Sequence, residues 1–536
     1  MSRLEPLIHY ALIGTRQEQP PHELAPAPFD RLLEELPTAL PLERKLLLLA
    51  GAEALYGLAG ISPFPLGVMI TAAPPEKLPP CSPQAAAMIQ RVLEQPGSEQ
   101  RLQALELLAR HGYRLPFALL PRMFEVESGS ARTAMRSVFA QVIGERGRWL
   151  ARFQPAWRRL LISSLPVTEL NEQEMGLLWQ EGSPSERLAL LRQLRVHDRP
   201  LARQWLEEAW PKEELERRLA LLETFEIGLE EADEAFLERL RDQRSYHVRR
   251  RAAGLLARLP SSACRRELLS AAQGLLRRET GPEGQCVRAV PPRAYSEEWR
   301  RFGIEQKEAS QEQRAAWLQA LISLVPPSYW EQQLQLSPAS IVHGLASDWR
   351  AAVLVGLMQA TLLHRAPSWA RALLSWLDPE TQQPLPGAED LLRCLDQQEA
   401  EEFLLHVLAS PEQRWFERWP ELLSRLPGPW SATFGCRLLE YLQSRLEHLA
   451  RLATRKSPLI DPPNLAEEWQ QWEKGLRITS GALPEACFDH ALQVIQASPL
   501  QTISIYYVQY TVIPSINAFL EKVAFLRDLQ QELRNQ

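Results

Sequence analysis

Cysteine is scarce in this chain of 536 residues. Its six cysteines are scattered, and none forms a C-x-x-C pair or another spacing typical of a zinc module. So few cysteines in so long a chain indicate reduced, buried thiols, and we therefore expect a cytoplasmic protein rather than a secreted, disulfide-bonded one. The N-terminal residues lack the apolar core of a signal peptide, which agrees with that expectation.

The motifs that mark common enzymes are absent as well. The chain has neither glycine-rich phosphate-binding pattern, no H-E-x-x-H zinc motif and no G-x-S-x-G nucleophile elbow. Acidic pairs such as Glu230-Glu231 lie among many other charges and indicate solvated helix faces rather than a general acid and base. The sequence therefore predicts no catalytic residue, cofactor or metal ligand, although missing motifs leave open an enzymatic site of another kind.

One uncharged run, from Ala54 to Ala73, has the length of a membrane span. A spanning helix needs about 20 continuous apolar residues, and Pro63 and Pro65 interrupt this run. We expect a buried helix that ends near Gly60, then a proline-rich loop, and no membrane association.

Basic charge is not in excess either. The net charge is −6, and basic and acidic residues alternate along the chain, so binding to nucleic acid is not expected. The basic residues are 53 arginines and only 7 lysines. Arginine forms two-point bonds in buried and interface ion pairs, but a GC-rich genome also favours arginine, and the sequence leaves both explanations open.

The residues that are abundant favour helices. Leucine, alanine, glutamate, glutamine and arginine dominate, and β-branched residues are sparse until the last forty positions. A phrase of arginine followed by an apolar cluster begins at Arg187, Arg218 and Arg250, at intervals of 31 and 32 residues. Looser copies begin at Arg101, Arg132, Arg314 and Arg350. Such a period is typical of stacked helical units, so the sequence predicts an all-α helical-repeat solenoid of antiparallel helix pairs.

One repeat can be predicted in detail. Asp233 is a candidate N-cap for a short helix that ends near Leu240, and a second helix runs from Tyr246 to Leu259, where Pro260 stops it. The apolar residues of both helices form stripes, which such a pair buries only by stacking on like neighbours.

Breaks in the repeat pattern divide the chain into five segments. They are an N-terminal helical cap with proline-rich loops at 1–83, a helical-repeat region at 84–278, a linker or inserted loop at 279–305, a second helical-repeat region at 306–500, and a C-terminal segment with a capping helix at 501–536. In the last segment, residues 502–513 have a strand-like composition. The amphipathic helix that follows, Ser515 to Leu533, either caps the solenoid or serves as a docking or dimer helix.

Two stretches are candidate protein-interaction sites. The first runs from Gly144 to Trp157, where two glycines can end a helix and turn the chain. Its candidate contact residues are Arg146, Arg148, Trp149, Arg152 and Trp157. Arginine and tryptophan are favoured at interaction hot spots, but a structural corner with both tryptophans in the core is the alternative.

The second stretch is a basic run at a predicted helix start. Its candidate residues are Arg244, Arg249, Arg250 and Arg251. They could meet phosphate or an acidic partner. Because basic charge at a helix N-terminus opposes the helix dipole, the alternative is an acidic neighbour on an adjoining repeat.

Several phrases together resemble a bacterial family, domain-of-unknown-function family 5691. They are residues 11–16 (ALIGTR), the corner from Gly144 to Trp157, Trp179 to Gly182 with Arg187, Asp242 to Pro260, and Trp299 to Ile304. The resemblance covers most of the chain, and the Arg-Gly-Arg-Trp-Leu-Ala corner is its most specific part. The strand-like segment after Gln501 departs from the family.

The resemblance implies a HEAT-like helical-repeat protein with no assigned catalytic residues. It also implies genes that neighbour those of MoxR-type AAA+ ATPases, von Willebrand factor A-type proteins and SWIM zinc-finger proteins. We therefore expect a non-enzymatic scaffold or adaptor with protein partners, of which a MoxR-type ATPase or a von Willebrand A-type protein is the first candidate. The alternative is a HEAT-like nucleic-acid-binding or DNA-repair protein, and the oligomeric state stays open.

Overall fold

The computed structural model describes residues 36–59, 71–95, 99–128, 133–281, 284–346, 348–410, 415, 418–454, 463–496 and 508–536. The chain divides into two compact units, Met1–Ala73 and Pro74–Gln536. The described part of the first unit contains helix α1 (Leu42–Ala59). Leu49 is buried, but Leu47 is 73% exposed, so the helix expected here forms without being fully buried. The loop expected after Gly60 lies outside the described residues.

The second unit is built mainly of helices, which confirms the all-α prediction. In chain order they are α2 (Pro83–Glu94), α3 (Glu99–Arg110), α4 (Leu120–Ser128), α5 (Thr133–Val142), α6 (Gly144–Ala151), α7 (Pro155–Ser164), α8 (Glu172–Glu181), α9 (Pro184–His197), α10 (Arg199–Ala209), α11 (Leu215–Glu223), α12 (Glu234–Leu240), α13 (Tyr246–Arg258), α14 (Ala263–Ala272), α15 (Gln311–Ile322), α16 (Pro327–Leu334), α17 (Pro338–His343), α18 (Arg350–His364), α19 (Pro367–Leu374), α20 (Gln397–Ala409), α21 (Trp419–Arg425), α22 (Ala432–Thr454), α23 (Pro463–Ala482), α24 (Phe488–Gln496) and α25 (Ile513–Arg534). Among the helices of the described ranges, none is long and apolar enough to cross a membrane.

The recurring arginine phrase lies on alternate helices. Its three clearest copies are on α9, α11 and α13, and α11 packs against both of the others. The helices between them pair with these neighbours: α10 packs on α9, and α12 packs on α13. The period of 31 and 32 residues is therefore the length of one helix pair.

The repeat predicted in detail is confirmed, with one difference. Helices α12 and α13 begin and end within a residue or two of the expected positions. Asp233 precedes α12, but its side chain makes no cap bond with that helix. The carboxylate is buried instead, where it accepts hydrogen bonds from Arg195 at 2.7 Å and from Arg203 at 2.7 Å. Asp233 thus joins two repeats, and it also accepts a hydrogen bond from the N–H of Glu230 that caps the preceding 3₁₀ turn rather than α12.

Three arginines of the recurring phrase bond to the ends of neighbouring helices, whereas Arg187 pairs with Glu213 at 2.7 Å. Arg101 donates to the carbonyl of Gln95 at the end of α2 (2.6 Å), and Arg218 donates to that of Trp210 at the end of α10 (3.0 Å). Arg250 donates to a carbonyl in the last turn of α15. The last carbonyls of a helix have no partner within it, so these arginines satisfy them and tie the repeats together.

Residues 279–305 differ from the linker or inserted loop expected there. Strands β1 (Leu276–Gly281) and β2 (Gly284–Ala289) form an antiparallel hairpin, and Val287 also bonds to the backbone near Leu345. A 3₁₀ helix, Glu297–Phe302, then packs against α13. The described part of this stretch is therefore packed against α13 and against the backbone near Leu345.

The strand-like composition near the C-terminus does not produce a strand in the part that the structure describes. Residues 502–507 lie outside the described residues, and Val508–Val512 form a π-helical turn that leads into α25. Val508 and Val512 are both buried. Their spacing of four places them on one face of a helix, so burial of that face outweighs their β propensity.

The last helix does not cap an open end. Helix α25 packs against α23 and α24 and also against α2 and α3, at the other end of the unit. Bonds across this seam include Ser82 to Glu532 (2.7 Å) and the ion pair of Arg110 with Glu485 (2.7 Å). Contacts between neighbouring helices thus run from α2 to α25 and back to α2, which makes a closed circuit.

Shortening a buried side chain at this seam should weaken both ends of the unit together. Leu526 on α25 is buried and borders a groove that Leu107 of α3 also lines. We expect Leu526→Ala to lower the free energy of unfolding by about 2–5 kcal/mol, the cost of deleting a buried leucine side chain. Hydrogen exchange should accelerate in both α25 and α2–α3.

The matched control is Leu520→Ala on the same helix, where the side chain is only partly buried. Leu520→Ala should lower the free energy of unfolding by less than Leu526→Ala does. It should leave the rates of amide hydrogen exchange in α2 and α3 unchanged. Faster exchange in α25 alone, with α2 and α3 still protected in Leu526→Ala, would contradict the closed circuit.

Candidate functional site

The first predicted stretch forms helix α6 and the start of α7. Gly144 has a φ of 66° and turns the chain after α5, as expected, and a Cβ there would lie 2.4 Å from a carboxylate oxygen of Glu76. That carboxylate accepts hydrogen bonds from the backbone N–H groups of Glu145 and Arg146, both at 2.9 Å. Gly147 does not end a helix, contrary to the prediction. It lies inside α6, where a Cβ would approach that of Ile143 to 2.7 Å.

The two tryptophans of this corner have different surroundings. Trp157 on α7 stacks on Phe124 of α4, with ring centroids 4.5 Å apart, so it belongs to the packing between helices. Trp149 on α6 is half-buried and meets Phe153 edge to face at 4.8 Å. Phe153 itself is 55% exposed. The alternative of a purely structural corner therefore fits Trp157 but not the surface around Phe153.

The arginines of the corner also differ in their exposure and in their partners. Arg148 pairs with Glu169 at 2.7 Å, a partly exposed ion pair. Arg146 is exposed, and its guanidinium lies 4.4 Å above the ring of Phe117, which is exposed as well. Arg152 is exposed at the end of α6.

A row of exposed or half-exposed side chains results, which we call the corner surface. It consists of Phe117, Arg146, Trp149, Arg152 and Phe153. Arg146 and Trp149 are three positions apart on α6 and share a face of that helix, and Phe153 follows in the turn after it. The sequence pattern identified the arginines and Trp149, but Phe117 and Phe153 were missed because exposure of a single aromatic residue has no sequence signal.

The second predicted stretch separates into residues with different roles. Arg249 is buried, and it donates to the carbonyls of Arg300 (2.7 Å), Gln243 (2.7 Å) and Arg244 (2.6 Å). The prediction of Arg249 as an interaction residue is therefore wrong. Its guanidinium donates to backbone carbonyls within the protein, so its role is structural. Arg244, by contrast, is exposed.

Arg251 has the acidic neighbour that the helix-dipole argument predicted. Its guanidinium lies 2.5 Å from the carboxylate of Glu226, which follows α11 in the adjoining repeat. Arg250 has no such partner among the described residues. It donates to the carbonyl of Ala320 (2.9 Å) and to the hydroxyl of Ser323. Burial lowers the pKa of the Arg250 guanidinium to about 10.

Arg250 and Arg251 line a cavity of about 430 Å³ between α11, α13, α15 and α18. His247 and Glu223 also line it, with the leucines Leu219, Leu324 and Leu363. The structure therefore brings two of the four predicted basic residues to one cavity, together with a histidine that the sequence pattern did not single out.

The buried network around Asp233 is the most strongly charged part of the core, and it is structural. Burial alone would raise the pKa of Asp233, but hydrogen bonds from Arg195 and Arg203 outweigh it and hold the pKa below its ordinary value. Arg195 also donates to the carbonyls of Ile227 and Gly228. The carboxylate is thus an ion-pair acceptor fixed between repeats.

Within the described ranges, no group of three or more histidine, cysteine, aspartate or glutamate side chains has the geometry to hold a metal ion. The cysteines are free thiols, and burial raises the pKa of Cys264 to about 12 and that of Cys81 to about 11. A thiol with a raised pKa is a poor nucleophile at neutral pH. Neither observation identifies a catalytic centre.

Stability should depend on pH through His364, at the end of α18. Burial is the main cause that lowers the pKa of this imidazole from 6.5 to about 4, although it also bonds to the carbonyl of Leu324 (3.0 Å). In the unfolded chain the imidazole binds a proton below about pH 6.5, whereas in the folded chain it does so only below about pH 4. The free energy of unfolding therefore falls as the pH falls from 6.5 to 4. Between pH 7 and pH 5 the expected loss is about 2 kcal/mol.

The measurement is urea unfolding of the wild type and of His364→Gln at both pH values. The glutamine amide can still reach the carbonyl of Leu324 but does not titrate. The wild type should lose about 2 kcal/mol more than the variant. Equal losses in the two proteins would show that His364 is not buried in its neutral form.

Comparison with known proteins bears on the whole chain. The model of a family of unknown function, DUF5691, matches residues 6–533. The match includes the corner surface and the helix that carries Arg250. Comparison with curated proteins yields no match. The chain therefore belongs to the family of unknown function DUF5691, which confirms the resemblance drawn from its sequence.

Proposed function

We propose that this protein is a non-enzymatic helical-repeat scaffold that binds a protein partner in the cytoplasm. The observation that carries the proposal is the corner surface. There Phe153, which is 55% exposed, lies just after the end of α6 and meets Trp149 edge to face, beside the exposed Arg146 on the same helix. Aromatic and arginine side chains of this kind contribute most of the binding energy at protein interfaces.

The charge of the surface indicates the chemistry of the partner. Arg146, Arg152 and nearby Arg158 are exposed, and none of them forms an ion pair with the residues that the structure describes. A complementary partner therefore carries carboxylates around an apolar pocket that takes the Phe153 ring. The surface is also held firmly, because Glu76 caps α6 and Trp157 anchors α7 on Phe124. A preorganised surface loses less entropy on binding.

The gene neighbourhood implied for the family makes a MoxR-type AAA+ ATPase the first partner to test and a von Willebrand A-type protein the second. Nucleic acid is a weaker candidate. The net charge is −6, and many arginines of the second unit are already bonded to carboxylates or carbonyls. The negative net charge opposes the non-specific attraction to phosphates on which such binding depends.

The test is calorimetric titration of the full chain with the purified ATPase and with the von Willebrand A-type protein. Phe153→Ser should weaken binding about tenfold or more, because the side chain is expected to fill a pocket on the partner. Val196→Ser is the matched control, since Val196 is 58% exposed on α9, away from the corner surface. Both variants should keep the melting temperature of the wild type.

Two results would contradict the proposal. If Phe153→Ser binds as tightly as the wild type, the corner surface is not the interface. If neither protein binds the wild type at micromolar concentration, the partner class is wrong.

A further inference from the structure

Arginines outnumber carboxylates near the cavity between α11, α13, α15 and α18. Arg250 and Arg251 line it, and Arg258 and Arg365 lie near Glu226, the ion-pair partner of Arg251. Among the described residues, the carboxylates that pair with this group are Glu223 and Glu226. Four positive groups against two negative ones leave an excess of two positive charges in this cluster, before His247 is considered.

The two carboxylates are already shared. Glu226 lies 2.5 Å from Arg251 and 3.8 Å from Arg365. Glu223 is exposed and lies 4.0 Å from Arg251. Neither forms an ion pair with Arg250, so these acids cannot neutralise every arginine around the cavity.

Arg250 is the clearest sign of a missing negative charge. One terminal nitrogen, Nη2, donates to Ala320 and Ser323, but Nη1 is buried and has no hydrogen-bond acceptor among the described residues. With a pKa of about 10 the side chain still carries its charge at neutral pH. A buried charge is normally paired, whereas the hydrogen-bond acceptors of Arg250 among the described residues are a carbonyl and a hydroxyl, both neutral.

The rest of the lining is partly apolar, since leucines stand beside the polar side chains of Ser323 and Gln359. Leu219, Leu324 and Leu363 line the cavity, and a Cβ at Gly254 would come within 3.3 Å of the Leu363 side chain. Its volume of about 430 Å³ lies within the range of sites for small ligands. Such walls suit a ligand with an apolar part as well as an anionic group.

We propose that this cavity binds a small organic anion in which a phosphate or carboxylate group is attached to a short apolar body. The anionic group supplies the countercharge that Arg250 lacks and lies among Arg250, Arg251 and His247. The apolar body contacts Leu219, Leu324 and Leu363. The cavity is separate from the corner surface, and the proposal goes beyond the scaffold function. It therefore holds whether or not a protein partner binds at the corner surface.

The test is calorimetric titration of the full chain at low ionic strength with three probes: phenyl phosphate, hexanoate and inorganic phosphate. Phenyl phosphate or hexanoate should bind, and the one that binds better identifies the anionic group. Inorganic phosphate should bind more weakly than phenyl phosphate because it leaves the leucines uncovered. Arg250→Met should weaken binding about tenfold or more, since it removes the charge but keeps an apolar chain of similar length.

Two controls separate binding from folding. Arg244→Met removes an exposed arginine at the same end of α13 and should leave the affinity unchanged. Leu363→Trp keeps Arg250 but fills the cavity, so it should abolish binding of phenyl phosphate and hexanoate with a helical circular-dichroism spectrum retained. If Arg250→Met fails to fold, Leu363→Trp alone tests whether the organic anions bind in the cavity.

The proposal is overturned if neither organic probe binds the wild type, or if Arg250→Met and a folded Leu363→Trp bind as the wild type does. It is also overturned if a hexaglutamate peptide binds more tightly than both organic probes and Arg250→Met abolishes that binding. The cavity would then hold an acidic segment of a protein partner rather than a small molecule.

Discussion

The packing of the last helix against the first helices of the second unit is the contact on which the rest of this structure depends. Helical repeats usually stack in a row with two ends, and each end needs a polar cap. Here α25 covers α2 and α3, so each end of the unit buries the apolar face of the other. The two proposed binding sites, the corner surface and the cavity at Arg250, both lie away from this contact in the chain.

Arginine side chains form many of the polar contacts between neighbouring repeats of the circuit. The planar guanidinium can bond a carboxylate at two points and still reach carbonyls. In this way Arg195 joins α9 to both Asp233 and the Gly228 carbonyl of the next repeat. The recurring phrase thus has a structural role, because three of its arginines satisfy carbonyls at helix ends and Arg187 pairs with Glu213. Arg250 is the informative exception, since it bonds a helix end and still lacks a countercharge.

The features that could be predicted from the sequence are local and periodic. The repeat length, the bounds of α12 and α13 and the acidic neighbour of Arg251 follow from apolar spacing, turn residues and the helix dipole. Closure of the circuit could not be predicted, because it joins residues more than 400 positions apart, such as Ser82 and Glu532. For the same reason the sequence did not separate Arg249, buried among carbonyls, from Arg250 beside it, and it missed Phe153 at the surface.

The central claim is that the two ends of the second unit meet. Double electron–electron resonance tests it most directly, with spin labels at Glu106 on α3 and Asp489 on α24, each one helical turn from the Arg110–Glu485 ion pair. The closed circuit predicts one narrow distribution of distances between the two labels. The distance should be short, little more than the combined length of the two label linkers. A broad distribution at long distances, as expected for separate ends of an open solenoid, would contradict it.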